Sequence, residues 1–311
     1  MGQKVIKFVC FLCIIVMIPF IGTYVYTQKE SMEYEIETEE WKIQYTNEGD
    51  SVLLSVDEYI MGVLMAVAPT NCHIETLKAL AVITRTKVYR SFWQRLDDED
   101  VRIVSTEDIG LDYTYIEDKE WSKLSVMGYD SATEQTNGMV MTYDTEPILP
   151  LFHERNSGVT RSYESVYGKE IAYLKEVESP WDQEGSQLET TSYYDVDVIC
   201  EQLKDSFGVS DINESNFQEE VSIIDSDSYG YVITARVADV TVTGVQLKES
   251  LKLKSSHFQI DMNENQVCIT TTGEGEGIGF SIYGADRMAS EGKTYDELLT
   301  YYYSKIDIEK L

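Results

Sequence analysis

The chain is poor in basic residues, cysteine and histidine, and each shortage removes a class of function. Lysine and arginine together number 25 against 55 aspartates and glutamates, a net charge of −30. Nucleic acids are held by Lys and Arg that displace counterions from phosphates, so this balance excludes nucleic acid as a partner. The plain meaning of the acidity is a solvated surface tuned for solubility; cation capture and docking to a basic partner stay open beside it. Cys10 and Cys13 lie in an apolar N-terminal stretch, and Cys72, Cys200 and Cys268 lack metal-ligand spacing. They read as buried free thiols, with one disulfide left open. His73, His153 and His257 are isolated in sequence, and a zinc site normally takes four ligands. The sequence therefore calls for no metal and no cofactor. Hydrophobic residues make up 43% and aromatics 11%, as in a packed globule.

The N-terminus sets the expected compartment. Phe8 to Tyr26 is uncharged, mostly apolar and about long enough to span a bilayer. Lys4 and Lys7 precede it, and an acidic run follows from Glu30. The positive-inside bias predicts a single-pass cell-membrane protein with a cytoplasmic N-terminus and an extracytoplasmic bulk. Residues 1–27 are then a cytoplasmic stub and transmembrane anchor, 28–50 a stalk and first strand, and 51–311 the main domain. A cleaved signal peptide is the competing reading, although Thr23-Tyr24-Val25-Tyr26 offers a poor cleavage site.

Trp41–Tyr45 and Val52–Val56 have strand patterns. Ser55 with Glu58 three residues later forms a capping box, so a helix starts near Asp57, and Pro69 ends it. Ile74, Leu77, Leu80, Ala81, Thr84 and Val88 share one stripe of a helix running to about Leu96. Residues 97–131 read as an acidic, aromatic insertion with loops and a short helix. Met139–Tyr143 and Ile148–Phe152 predict a hairpin across Asp144-Thr145-Glu146-Pro147. A helix from Tyr194 to Phe207 stops at Gly208. Val221–Ile224 and Tyr231–Val237 predict a second hairpin region, and Thr294 with Glu297 caps a last helix. The fold class expected is α+β: mixed helices and short strands forming a cleft, behind the transmembrane helix, with an inserted subdomain at about 185–265.

Three blocks carry a family resemblance. In Tyr59–Arg90, Tyr59, Gly62, Val63, Ala66, Pro69, Glu75, Leu77, Lys78, Ala79, Ala81, Val82, Arg85 and Thr86 fit a frame of the form YxxGVVAxEMP, then a helix, then AxAAxRTYA. In Gly138–Gly168, Ser157, Gly158 and Thr160 match an SGGxT turn, with Val159 in place of its second glycine and Tyr167 in place of the Trp of VWG. In Gly273–Ala285, Gly273, Gly275, Gly277, Gly279, Ser281, Tyr283, Gly284 and Ala285 match GxGHGVGMSQYGA, with Glu276 for His and Ile282 for Gln. The tail from Met288 to Tyr302 matches MAxxGxxYxEILxHYY. In this order, over about residues 51–308, the blocks resemble the stage II sporulation protein D and amidase-enhancer family of bacterial cell-envelope proteins.

The resemblance implies sporulation or wall remodelling and peptidoglycan lytic transglycosylase chemistry. In that reaction the sugar's own 6-hydroxyl closes onto the anomeric carbon. One carboxyl with a raised pKa then serves first as acid and next as base, unlike the two carboxylates of hydrolases. The family's catalytic Glu falls on Val67. Glu276 is the weak rescue candidate, and Glu154 a weaker one. Glu58 and Glu75 sit near helix starts, where they read as structural. The resemblance also implies a His/Cys metal site near the second block in some relatives, but Val159, Glu164 and Ser165 occupy that stretch here. Arg85, Ser157, Thr160, Ser281 and Tyr283 are the candidate substrate-binding residues, Arg85 through a bidentate grip on a carboxylate or, equally, as an internal salt bridge. The reading expected is a degenerate member that binds peptidoglycan glycan strands, and with them other membrane-anchored wall-remodelling proteins. The alternatives are an active transglycosylase with a relocated acid, and a structural tether or partner-binding module.

Overall fold

A computed structural model describes residues 41–47, 50–95, 102–116, 128–185, 188–263 and 266–311. The chain divides into two units, Met1–Trp41 with Leu311 and Lys42–Lys310, and the described elements all lie in the second. No helix of the described residues is long and apolar enough to cross a membrane. That finding corrects the membrane helix placed behind the fold and the single-pass cell-membrane localisation that rested on it; the segment that carried the expectation, Phe8–Tyr26, lies outside the described residues.

Strand β1 (Lys42–Asn47) pairs antiparallel with β2 (Asp50–Leu54). Ser55 then caps α1 (Val56–Val67) by the expected reciprocal bonds with Glu58. The helix stops at Ala68, whose extended backbone (φ −76°, ψ 134°) is what a following proline requires. His73 caps α2 (Ile74–Trp93), accepting from the Glu75 N–H through Nδ1 at 3.2 Å. This helix is buried along most of its length and forms the axis of the main core. Packed against it are α1, α4 (Tyr129–Gln135), β4 (Met139–Tyr143), α9 (Ile282–Ser290) and α10 (Tyr295–Tyr302). Between α2 and α4 lie β3 (Ile103–Ser105), parallel to β1, and the short α3 (Thr106–Ile109).

The hairpin after β4 is shorter than expected. Asp144 and Thr145 take positive φ (51° and 69°), the geometry of a tight primed turn, and the return strand β5 is only Glu146–Pro147. Proline has no N–H to extend a ladder. Residues 148–151 run on as loop, and β6 (Phe152–His153) pairs instead with β13 (Phe280–Ser281), in parallel. After α5 (Tyr163–Tyr167) and a 3₁₀ turn (Pro180–Gln183), the chain builds a second apolar cluster. It is formed by β7 (Glu189–Asp195), α6 (Val196–Phe207), α7 (Phe217–Glu220), β8 (Val221–Ser226), β9 (Val232–Val237), β10 (Val240–Thr243), α8 (Gly244–Leu251), β11 (Phe258–Asn263) and β12 (Gln266–Thr272). Its core includes Ile199, Leu203, Phe217, Ala235, Leu247 and Phe258. The main core instead gathers Leu64, Leu80, Met141, Phe280, Met288 and Tyr302. The final strand β14 (Asp307–Lys310) closes on β4.

Candidate functional site

The site is built where the three sequence blocks meet. Val67 is the last residue of α1 and lies half-buried against the main core beside Met65 and Ala68. The turn after Pro69 is fastened to the third block. Asp286 of α9 accepts from the His73 N–H at 2.7 Å and from the Cys72 thiol at 3.3 Å. Burial and the adjacent Asp286 carboxylate push that thiol well above its usual range. Glu75 holds the other end, accepting from the Tyr295 N–H at 2.8 Å and pairing with Lys78 at 2.7 Å. The β6–β13 pairing brings His153 opposite Ser281, so the second and third blocks share a two-stranded sheet.

Behind that sheet is a buried polar cluster centred on Asp182, which has no exposed surface. Its carboxylate accepts from Ser281 Oγ at 2.7 Å, from Asn156 Nδ2 at 3.0 Å and from Ser179 Oγ. Ser179 Oγ also meets the Tyr302 hydroxyl at 2.8 Å. His153 Nδ1 lies 3.1 Å from the Ile278 carbonyl and Nε2 lies 3.0 Å from Asn156 Nδ2. A carbonyl only accepts, so Nδ1 carries the proton and Nε2 receives the amide N–H. Burial pushes the Asp182 carboxyl up to about 6 against the opposing hydrogen bonds of Ser179 and Ser281. Burial likewise pulls His153 down to about 4, against the Ile278 carbonyl. Arg155 clasps the rim, donating to the Asp182 and Glu184 carbonyls and lying 4.0 Å above the Tyr283 ring.

The expected substrate-binding residues are mostly engaged inside this scaffold. Arg85 is buried; it donates to the Thr136 carbonyl at 2.7 Å and the Thr133 carbonyl at 3.2 Å, and lies 3.6 Å from Asp57. Burial lowers its pKa against the attraction of Asp57. Its guanidinium fastens α2 to α4, which is the internal role. Thr160 is buried and accepts from the Val177 N–H at 2.9 Å. Ser281 caps α9 through the Gly284 N–H at 3.1 Å. Tyr283 is half-exposed and donates to the Glu184 carbonyl at 2.9 Å. Ser157, also half-exposed, accepts from Gln183 Nε2 through its carbonyl at 2.7 Å. Of the five, Ser157 and Tyr283 are the two that reach the surface.

Glu276 pairs with Lys248 of α8 at 2.6 Å and accepts from Ser256 Oγ at 3.0 Å. Its partners come from the region of the second cluster, whereas Val67 packs on the main core. Glu154 lies at the surface, and partial desolvation of its carboxyl, then the neighbouring Glu274, raises its pKa. Among the described residues, no group of three or more His, Cys, Asp or Glu side chains could hold a metal ion. Sequence reasoning missed Asp182, Asn156, Ser179 and Arg155. Several of their partners lie far along the chain, as Ser281 does for Asp182 and Tyr302 for Ser179, and the local contacts, Ser179 with Asp182 and His153 with Asn156, read in sequence as ordinary turns.

Comparison with known proteins agrees with the blocks. Residues 24–143 match the family model described as stage II sporulation protein. The chain is 29% identical to stage II sporulation protein D of Bacillus subtilis (strain 168) over 83% of its own length and 75% of that relative's. The same identity and shares hold for stage II sporulation protein D of Bacillus amyloliquefaciens. The amidase enhancer of Bacillus subtilis is more distant, at 22% identity over 56% of this chain and 31% of its own. With its first and third blocks joined at Asp286 and its second and third at β6–β13, the chain is similar to the stage II sporulation protein D family over most of its length.

Proposed function

We propose that this protein binds peptidoglycan glycan strands during sporulation wall remodelling and does not cleave them. The observation that carries this reading is Val67. The end of α1 is an apolar wall, GVLMAVAP, next to the turn that Asp286 fastens. Such a wall raises the pKa of a carboxyl placed in it, and a valine can neither hold nor pass a proton. Loss of general acid–base catalysis costs about 10²–10⁴-fold in rate. One group serves both steps in a transglycosylase, so the upper end applies here.

The other carboxyls make poor substitutes. Glu276 is held by Lys248 and Ser256. Asp182 has the raised pKa of a general acid, but it is fully buried with hydrogen bonds to both oxygens. Half-exposed Tyr283 and Ser157 flank the scaffold where a sugar hydroxyl could be met. Sedimentation of the full chain with insoluble peptidoglycan, followed by analysis of the supernatant, tests both halves of the proposal. Co-sedimentation without released 1,6-anhydro sugar ends is expected. A chain that stays in solution overturns the binding half, and anhydro ends overturn the non-catalytic half.

A further inference from the structure

A strand at the rim of a sheet carries unpaired backbone groups, and several rims here are shortened or broken. β3, β5 and β10 run two to four residues, and the register of β8 shifts at Ile223/Asp225 and again at Asp225/Ser226. β7 differs. Among the described residues it is paired on one edge only, in the order β11-β12-β7. Its residues, ETTSYYD, keep unbroken register from Glu189 opposite Thr272 to Asp195 opposite Gln266. They include no Pro, Gly or Lys, the residues that blunt an edge. The direction of the free groups follows from the pairing. The Leu188 carbonyl accepts from the Gly273 N–H at 2.8 Å and the Thr190 carbonyl from Thr271 Oγ1 at 3.2 Å, so these alternate residues turn their backbone groups toward β12. In an antiparallel ladder the residues between them turn theirs away. The N–H and C=O groups of Thr191 and Tyr193 therefore face outward, and both residues are exposed, Tyr193 at 60%.

We infer that β7 receives one extended, basic strand of a partner protein along this edge. The charged residues of the three-stranded sheet are Glu189, Asp195 and Asp261, all acidic. Asp197 and Glu201 of α6 stand exposed next along the chain. A second copy of the chain is the wrong occupant. Antiparallel pairing of β7 with itself across a two-fold axis sets Glu189 opposite Asp195 twice, and like charges directly opposite destabilise a ladder. A strand with Lys or Arg at both ends turns the same two positions into ion pairs, and a β-branched residue opposite Tyr193 adds a cross-strand contact. Main-chain bonds then supply affinity, and the acidic ends select the partner. The edge is independent of the glycan-strand reading.

The test is fluorescence anisotropy of the labelled peptide RTVTVTR against the full chain, with ETVTVTE as the charge-reversed control. RTVTVTR is expected to bind at least about tenfold more tightly, since both end pairs change from attractive to repulsive in the control. Methylating both valine nitrogens keeps the charge and removes the bonds to Thr191 and Tyr193, so it should abolish binding. Thr191→Pro deletes one outward N–H and no backbone bond to β12, and should weaken RTVTVTR about fivefold. Glu189→Lys, a surface change that leaves the ladder alone, should weaken it about threefold. No binding of RTVTVTR at millimolar concentration, equal binding of the charge-reversed or methylated peptide, or an affinity that survives both substitutions overturns the site. A full chain that is dimeric in analytical ultracentrifugation, and monomeric as Thr191→Pro, also overturns it, because the edge then belongs to a second copy.

Discussion

The end of α1 and the Asp182 cluster belong to the same meeting of sequence blocks, yet one ends on an apolar side chain, Val67, and the other has its polar groups satisfied. At Val67 the chain presents an aliphatic side chain to a prepared wall. At Asp182, the carboxylate, Asn156, Ser179, Ser281, His153 and Tyr302 form a closed set of hydrogen bonds with no exposed surface at Asp182 itself. A buried carboxylate without partners is costly, so such a set holds the fold whether or not chemistry happens nearby. Val67, half-buried at the end of α1, takes part in no such set of hydrogen bonds.

The largest effect expected from breaking this contrast is at position 67. Val67→Glu should raise glycan-strand cleavage by about 10²–10⁴-fold over the unsubstituted chain, measured as 1,6-anhydro ends by mass spectrometry. Next is Arg85→Met, which removes a buried donor from the Thr133 and Thr136 carbonyls and the cation beside Asp57. It should lower unfolding stability by about 2–4 kcal/mol in denaturant melts while leaving strand binding in the folded fraction unchanged.

The Asp182 cluster gives the third prediction, which concerns pH. Asp182 is raised from 3.8 to about 6, so the folded state holds its proton more tightly than the unfolded chain. Its contribution is fully present below pH 3.8 and is lost as pH rises through about 6. His153 is lowered from 6.5 to about 4, so the unfolded chain binds its proton more readily, and stability is lost as pH falls from 6.5 toward 4. The two slopes oppose each other over pH 4–6. Each corresponds to a swing of roughly 3 kcal/mol, and together they largely cancel. Asp182→Asn should unmask a chain that weakens toward acid, and His153→Gln one that strengthens toward acid. Thermal melts from pH 4 to 7 check both signs, and parallel profiles for the two variants would contradict the cluster. The smallest effect belongs to Glu276→Gln. Its pair with Lys248 is partly solvated, so stability should change by about 1 kcal/mol or less, with no change in strand binding.

Local chemistry made much of the fold legible. The Ser55–Glu58 capping box, the stop at Pro69 and the left-handed Gly208 after α6 are encoded within a few residues and stand as expected. The hairpin at Asp144–Glu146 was legible as a turn, but its return strand was not. Whether Ile148–Phe152 pairs with β4 or leaves for β13 is decided by Phe280, more than a hundred residues later. Arg85 shows the same limit at the site. Its charge and place on α2 were readable, whereas its acceptors are backbone carbonyls of α4 that no sequence pattern announces. The apolar run at Phe8–Tyr26 read as a membrane anchor from length and flanking charge alone, an expectation that the described helices do not support.

The most direct test of the account is the product of the unsubstituted full chain on purified peptidoglycan, with Val67→Glu run beside it. The account predicts intact strands from the first and 1,6-anhydro muropeptides from the second. Anhydro products from the unsubstituted chain, abolished by Glu276→Gln, would show that the acid has moved rather than gone.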